Sequence, residues 1–428
     1  MMRASPEPGK PVRGRFRWLI CALLFSATVI NYLDRQAIGI LKPVLAKTWH
    51  WSDVDYAWIV VSFQAAYACG EALSGPFIES VGIKGAYAIA LVLWSLATIG
   101  HAPVASVLGF CLARFALGIG ESANWPAAVR VVTEWFPQRE RSVSIGLFNA
   151  GSNVGSIVGP VLIPWLALEF GWRAAFVTLG ALGFIWLLLW LMLYQSPRQS
   201  HWLGSDERAY ILEGVGGNGQ RRLPWRRVIR YPETWAYIMS GVLTAPVWWF
   251  YLFWLPDFYG REFGLNFREF GAPLAVIYAV AAFGSIGGGA LSAGLLRRRW
   301  SVNGARKAAA LVCACCALPV MFATRTHHVW LATTFFALAA AANQGWSSTM
   351  FTVVSDMFPK RAVASVVGVG GMLASVSAVG FSHLVGHVLQ NTGLYDVILM
   401  ACGAAYLIAF VAFHLLVPQI RPVEIDHA

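Results

Sequence analysis

The 428-residue chain is 57% hydrophobic and only 12% charged, about half the charged share of an ordinary soluble domain. That leaves too little polar surface to cover so apolar a mass in water, so a soluble globular protein is excluded and a polytopic membrane protein is expected. The net charge of +11 would suit a nucleic-acid binder, but the basic residues sit between apolar runs and act as a topology signal instead.

In chain order, apolar runs of membrane-crossing length predict twelve helices: 17–40, 54–77, 85–101, 104–128, 142–167 and 172–194, then 233–256, 272–296, 305–323, 329–353, 362–389 and 394–417. The first run follows a basic stretch with no small-x-small cleavage site, so it reads as a retained helix rather than a signal peptide. The long polar gap, 195–232, contains GGNGQRR and PWRRVIR and reads as a linker. The expected domains are a six-helix bundle at 1–194, a cytoplasmic linker at 195–232 and a second bundle at 233–428. With both termini inside, inner segments carry 23 Lys and Arg against 6 outside, with Arg35, Arg114 and Arg130 counted to neither side. This follows the positive-inside rule and predicts a multi-pass protein of the inner or plasma membrane with cytoplasmic termini and lipid as a partner. The seven Cys are scattered through apolar segments with no paired CxxC and no completing His. They read as small hydrophobes, and neither a metal nor a cofactor is expected.

The two halves repeat. TEWFPQRERSVSIG (133–146) aligns without gaps to SDMFPKRAVASVVG (355–368), an offset of 222 that also sets Lys84 beside Arg306 and Gly82 beside Gly304. A parallel repeat of six helices is the architecture of the major facilitator fold. The fold class is therefore all-α membrane protein, with 12 transmembrane helices in two pseudo-symmetric six-helix bundles. The loop after the second helix, GPFIESVG, keeps an acid at Glu79 but has Ser80 where that fold usually has a base. Arg130, Glu134 and Arg139 read as gate or interface contacts.

Four ionisable residues fall well inside the spans: Asp34, Arg35, Arg114 and Glu121. Each costs roughly 2.5–3.5 kcal/mol at a helix centre, so they should face a wet cavity, pair, or both. Arg114 and Glu121 are two turns apart on one face, with Gly118 and Gly120 between them. A purely structural salt bridge is the competing reading of that pair. Asp34 and Arg35 point about 100° apart and cannot be each other's main partner. Gln64, Tyr67 and Glu71 form a polar stripe on the second helix. Asn149, Ser152, Asn153 and Ser156 lie on the fifth, where Gly151, Gly155 and Gly159 allow close helix approach. Asn343, Gln344, Trp346 and Ser347 supply neutral hydrogen-bonding groups on the tenth. His383 and His387 read as a helix-packing hydrogen bond or a proton relay. The cluster WWFYLFW (248–254) reads equally as an interfacial belt or a sugar-stacking surface.

NYLDRQ, FQAAYACGE, RFALGIGESANWPA, TEWFPQRERS and NQGW…SDMFPKR resemble the anion:cation symporter family of the major facilitator superfamily, nearest its hexuronate transporters, over nearly the whole chain. The resemblance implies roles residue by residue. Arg35 would hold a substrate carboxylate, with Tyr67 hydrogen-bonding the same group. Asp34 and Glu121 would carry protons, and Arg114 would pair with ionised Glu121. Gln344, Trp346, Ser347, Ser152 and Asn153 would contact the substrate. Glu79, Arg139, Asp356 and Arg361 would form the gate. The expectation is a proton-coupled symporter of a small organic anion, acting as a monomer by alternating access, with no nucleic-acid partner. An anion exchanger and a sodium-coupled carrier remain open beside it. An intramembrane enzyme is disfavoured: GxSxG, HExxH and GxxxxGK[ST] are all missing.

Overall fold

In lipid each backbone N–H and C=O must find its partner within its own segment, so long apolar runs become helices. The protein, described by a computed structural model over residues 15–215 and 225–423, follows that rule. The first half contains α1 (Phe16–Trp49), α2 (Asp53–Val81), α3 (Ile83–Gly100), α4 (Val107–Ser122), α5 (Asn124–Trp135), α6 (Gln138–Phe170) and α7 (Trp172–Leu193). Between the halves lie α8 (Ser205–Val215) and α9 (Trp225–Val228). The second half contains α10 (Pro232–Phe263), α11 (Gly271–Arg297), α12 (Val302–Ala317) continued by a 3₁₀ segment at Leu318–Arg325, α13 (Val329–Met357), α14 (Lys360–Thr392) and α15 (Asp396–Leu416). No strand occurs among the described residues.

Nine of these segments are apolar enough to cross a membrane by length and composition. The α4–α5 pair, α2 and α13 complete the twelve; they carry many of the polar residues singled out above. The fourth span is broken at Ala123, a correction to the single run 104–128. Pro126 is the cause: it lacks the N–H that would bond Ser122, and its ring crowds that carbonyl. Pro43 and Pro256, by contrast, lie inside α1 and α10, which run on to Trp49 and Phe263. The GGNGQRR stretch lies outside the described residues.

The repeat is visible in the backbone. Phe136 and Phe358 end their helices at φ/ψ −120/131 and −109/142, and the following Pro137 and Pro359 take −57/152 and −63/148. One loop earlier, two lysines make similar bonds. Lys84 Nζ donates to Leu191 O near the end of α7, while Lys307 Nζ donates to Val417 O at the end of α15. Lys307 thus makes the bond that corresponds to that of Lys84, while Arg306 pairs with Asp356.

The described segment ends near residues 15 and 423 lie on one face of the bundle, here the terminal face. At the opposite face the halves meet closely. α2 packs on α14, α6 on α11 and α1 on α10. A Cβ on Gly39 would meet Leu252 O at 3.0 Å, and one on Gly271 would meet Pro160 O at 2.6 Å. Phe250 to Trp254 are buried in this seam, so the aromatic cluster is neither a lipid belt nor, past Trp249, a cavity wall.

Candidate functional site

Two cavities face each other across the halves. The first, about 210 Å³, is lined from α1, α2, α5 and α6 by Thr28, Asn31, Tyr32, Arg35, Tyr67, Glu71, Asn124, Trp125 and Asn149. The second, about 270 Å³, is lined from α10, α13 and α14, including Ser240, Thr244, Trp248, Trp249, Asn343, Gln344, Trp346 and Ser347. Asn124 and Trp125, the first residues past the α4–α5 break, are among the lining of the first cavity.

Arg35 is the centre of the first cavity. Its Nε and Nη2 donate to Glu121 Oε2 at 3.0 and 2.9 Å, and Nη2 also donates to Asn31 Oδ1 at 3.2 Å. Four rings surround the guanidinium carbon: Tyr67 at 4.7 Å, Tyr32 at 4.9 Å, Trp249 at 5.3 Å and Phe63 at 5.4 Å. Such rings favour a cation that water cannot fully solvate.

This geometry corrects two expectations. Glu121 pairs with Arg35, not Arg114. Arg114 instead donates from Nη2 to the Arg35 carbonyl at 3.0 Å and lies 4.7 Å from the Phe63 ring centroid. Nor do all four charges face water. Arg35 lines the cavity, Glu121 lies behind it with Oε1 unpartnered, and Asp34 and Arg114 are buried outside both walls. Neither Asp34 oxygen has a hydrogen-bond partner in good geometry; Glu121, Arg114 and Thr98 are its polar neighbours. Ser152 bonds Asn149 O on its own helix, and neither it nor Asn153 lines either cavity. In the second half Trp346 Nε1 donates to Ser240 Oγ at 3.0 Å, and Asn343 Nδ2 donates to Tyr406 Oη. His383 and His387 contact each other, Nε2 to Nε2 at 3.1 Å, beside Trp58 and away from both cavities.

The opposite face is closed by a charged group that the sequence reading missed. Lys42 Nζ lies 3.1 Å from Asp53 and 2.9 Å from Asp257. Arg261 pairs with Asp53 and, at 2.8 Å, with Asp257, to which Tyr395 Oη also donates at 2.6 Å. Lys42–Asp257 and Arg261–Asp53 therefore cross between the halves. Tyr56 Oη adds a bond to Phe253 O at 2.6 Å. Lys42 and Asp257 lie just beyond the expected spans, which stop at 40 and 256, while α1 and α10 run on through Pro43 and Pro256.

At the terminal face the gate candidates pair within one half. Glu79 pairs with Arg130, and Asp356 accepts from Arg306 Nε at 2.8 Å. Arg139 Nε donates to Tyr210 Oη at 2.8 Å, tying α8 to the first half. Tyr210 also donates to Glu140, and Arg17 bridges Glu140 and Glu207. Partial burial and then the Glu140 carboxylate push the Tyr210 phenol above its ordinary value. Arg361 takes part in an interaction at this face too. A Cβ on Gly146 or Gly368 would meet nothing within 4 Å. The bonds that cross between the halves thus gather at the opposite face, whereas Glu79–Arg130, Arg306–Asp356 and Arg139–Tyr210 do not cross.

Known proteins agree with this architecture. The profile of the Major Facilitator Superfamily matches residues 24–382. The hexuronate transporter of Escherichia coli (strain K12) is 31% identical over 384 residues, 88% of each chain. The D-galactonate transporter of Escherichia coli O6:H1 is 27% identical over 423 residues, 96% of this chain and 97% of that one. Among solved structures, a bacterial homolog to the human lysosomal transporter Spinster, in an inward-facing conformation, superposes with a TM-score of 0.71 at 19% identity, covering 95% of this chain and 96% of that one. It bears on the fold alone. With twelve spans, a repeated half and a matching profile over most of its length, the chain belongs to the Major Facilitator Superfamily, a family of transporters rather than enzymes.

Proposed function

We propose that the protein is a proton-coupled symporter of a sugar acid, a hexuronate or a close relative, working by alternating access. The observation that carries the reading is Arg35: a buried guanidinium that lines the cavity while sharing its charge with a deeper carboxylate, Glu121. Its fork suits a carboxylate and does not lose its own proton. A substrate carboxylate arriving at Arg35 competes with Glu121 for it. An ionised Glu121 stripped of Arg35 would be an isolated buried charge, which costs several kcal/mol. Taking a proton removes that cost, so anion and proton each raise the other's affinity. This replaces the Arg114–Glu121 exchange expected from the sequence. Arg114 then holds the α1 backbone in place and faces Asp34, the second candidate proton carrier. Tyr67 stands beside Arg35 to meet the same carboxylate. Gln344, Trp346 and Ser347 face it from the other half to meet hydroxyls.

In this reading the terminal face is cytoplasmic, as the 23 to 6 split of basic residues argues, and the conformation is inward-facing. The halves 1–194 and 233–428 rock as two bodies about the site. α8 travels with the first, and the gate pairs Glu79–Arg130 and Arg306–Asp356 come together when that face shuts. The test is uptake into proteoliposomes. Labelled uronate should accumulate under an inward pH gradient at fixed sodium. The Glu121→Gln variant should exchange substrate at equilibrium but no longer accumulate it. Gradient-driven accumulation by that variant at the parent level would remove Glu121 from coupling. Accumulation that follows sodium instead would make the carrier sodium-coupled.

A further inference from the structure

The two cavity walls differ sharply in charge. Arg35 is the sole Lys or Arg among the residues lining either cavity, and Glu121 already neutralises it. One other charged side chain lines the first cavity, and it is an acid: Glu71, one turn beyond Tyr67 on α2. Its backbone carbonyl accepts from Ser74 Oγ. Its carboxylate appears in none of the hydrogen bonds or ion pairs of the described residues, although Arg35 lies close enough to act on it electrostatically. The second cavity presents amide, hydroxyl and indole groups from Asn343, Gln344, Ser347, Thr244, Ser240 and Trp346.

From this arrangement we infer that the site selects monocarboxylates bearing several hydroxyls and excludes dicarboxylates, with Glu71 as the residue that enforces the difference. The inference rests on the sugar-acid reading above and narrows it. A monoacid places its carboxylate on Arg35 and its hydroxyls against Glu71 and the neutral second wall. A carboxylate is a strong acceptor for hydroxyl donors, and a vicinal diol can supply two. A diacid of the same length must place its second carboxylate either beside Glu71, where like charges repel, or against a wall with no cation, where it loses its water without compensation. The cavities are large enough for a six-carbon acid, so charge and not volume makes the distinction.

The experiment is equilibrium binding to purified full-length protein at pH 7.5, with D-glucuronate, D-galacturonate and D-gluconate against D-glucarate and galactarate. The monoacids should bind at least tenfold more tightly than the diacids. Glu71→Gln should narrow that ratio at least fivefold by improving diacid binding. Ser347→Arg, which adds a cation to the second wall, should narrow it from the other side. Each variant is first checked for an unchanged gel-filtration profile. Diacids binding the parent protein as tightly as monoacids, or an unaltered ratio in both variants, would overturn this inference alone. Failure of both acid classes to bind the parent protein would overturn the sugar-acid reading and this inference with it.

Discussion

Replacing Lys42 with Met tests how the opposite face is held shut. Lys42 is 2% exposed and sits between Asp53 of its own half and Asp257 of the other. Removing one member of a buried ion pair costs about 3–5 kcal/mol, because the partner is left buried and uncompensated. Here the loss is smaller, since Arg261 still touches both carboxylates and Tyr395 still donates to Asp257. About 2 kcal/mol remains against the closed arrangement. At 1.4 kcal/mol per factor of ten, the balance between closed and open forms moves roughly 30-fold towards opening. Met keeps the length and packing of the Lys stem, so the effect reports charge. The assay is electron spin resonance distance measurement between labels at Thr48→Cys and Asn391→Cys, both exposed at this face, in a background lacking the seven native cysteines. The Lys42→Met protein should gain a longer-distance population, and Lys42→Met with Arg261→Met should gain more. Identical distance distributions in parent and double variant would refute the claim that these crossed pairs hold the face closed.

Arg35→Lys should weaken uronate binding by at least 100-fold while the protein stays folded, because an ammonium cannot present a fork to the carboxylate or stack among four rings; titration calorimetry reads it. Gly155→Val should lower the thermal unfolding midpoint, since even a Cβ there would meet Val29 O at 2.6 Å; overpacking of this kind costs about 1–3 kcal/mol. Pro126→Ala should let α4 run into α5, leave thermal stability unchanged or higher, and weaken substrate binding several-fold by turning Asn124 and Trp125 away from the cavity.

Much of the fold was legible because lipid permits few solutions. Apolar run length, Lys and Arg counts and the FP-centred repeat each follow from the bilayer or from the doubled architecture. Proline was the weak signal. It is expected to end a helix, yet α1 and α10 run on past Pro43 and Pro256, so Lys42 and Asp257, just outside the expected spans, were absent from the list of intramembrane charges. In a bundle, neighbours support helices through such residues, and both charges landed at the seam. Pro126 did the reverse and broke a span read as continuous. Arg35 and Gln344 stood out by type, because a charge or amide in an apolar run needs a reason to be there, and both line a cavity, as do Tyr67, Trp346 and Ser347. The pairing of the charges did not stand out in this way. Spacing along α4 joined Arg114 to Glu121, whereas the partner comes from α1, and a periodic pattern on one helix carries no information about its neighbours. Ser152 and Asn153 were expected from the resemblance, whereas Asn149, one turn earlier, is the residue that reaches the cavity.

The ring of aromatics about Arg35 is a composite. Tyr32, Phe63 and Tyr67 belong to the first half, and Trp249 belongs to the second. α1 is locked to α6 at Gly155, so Arg35 cannot migrate relative to its own bundle. When the bundles tilt, Trp249 departs and the other three remain. On the proposed alternating-access cycle, an anion held at Arg35 would therefore meet a four-walled seat from one compartment and a three-walled seat from the other. In the proposed symport such inequality would leave the final concentration ratio untouched, since the coupling gradient fixes that. It would set which compartment the carrier loads from at low concentration and which it empties into quickly.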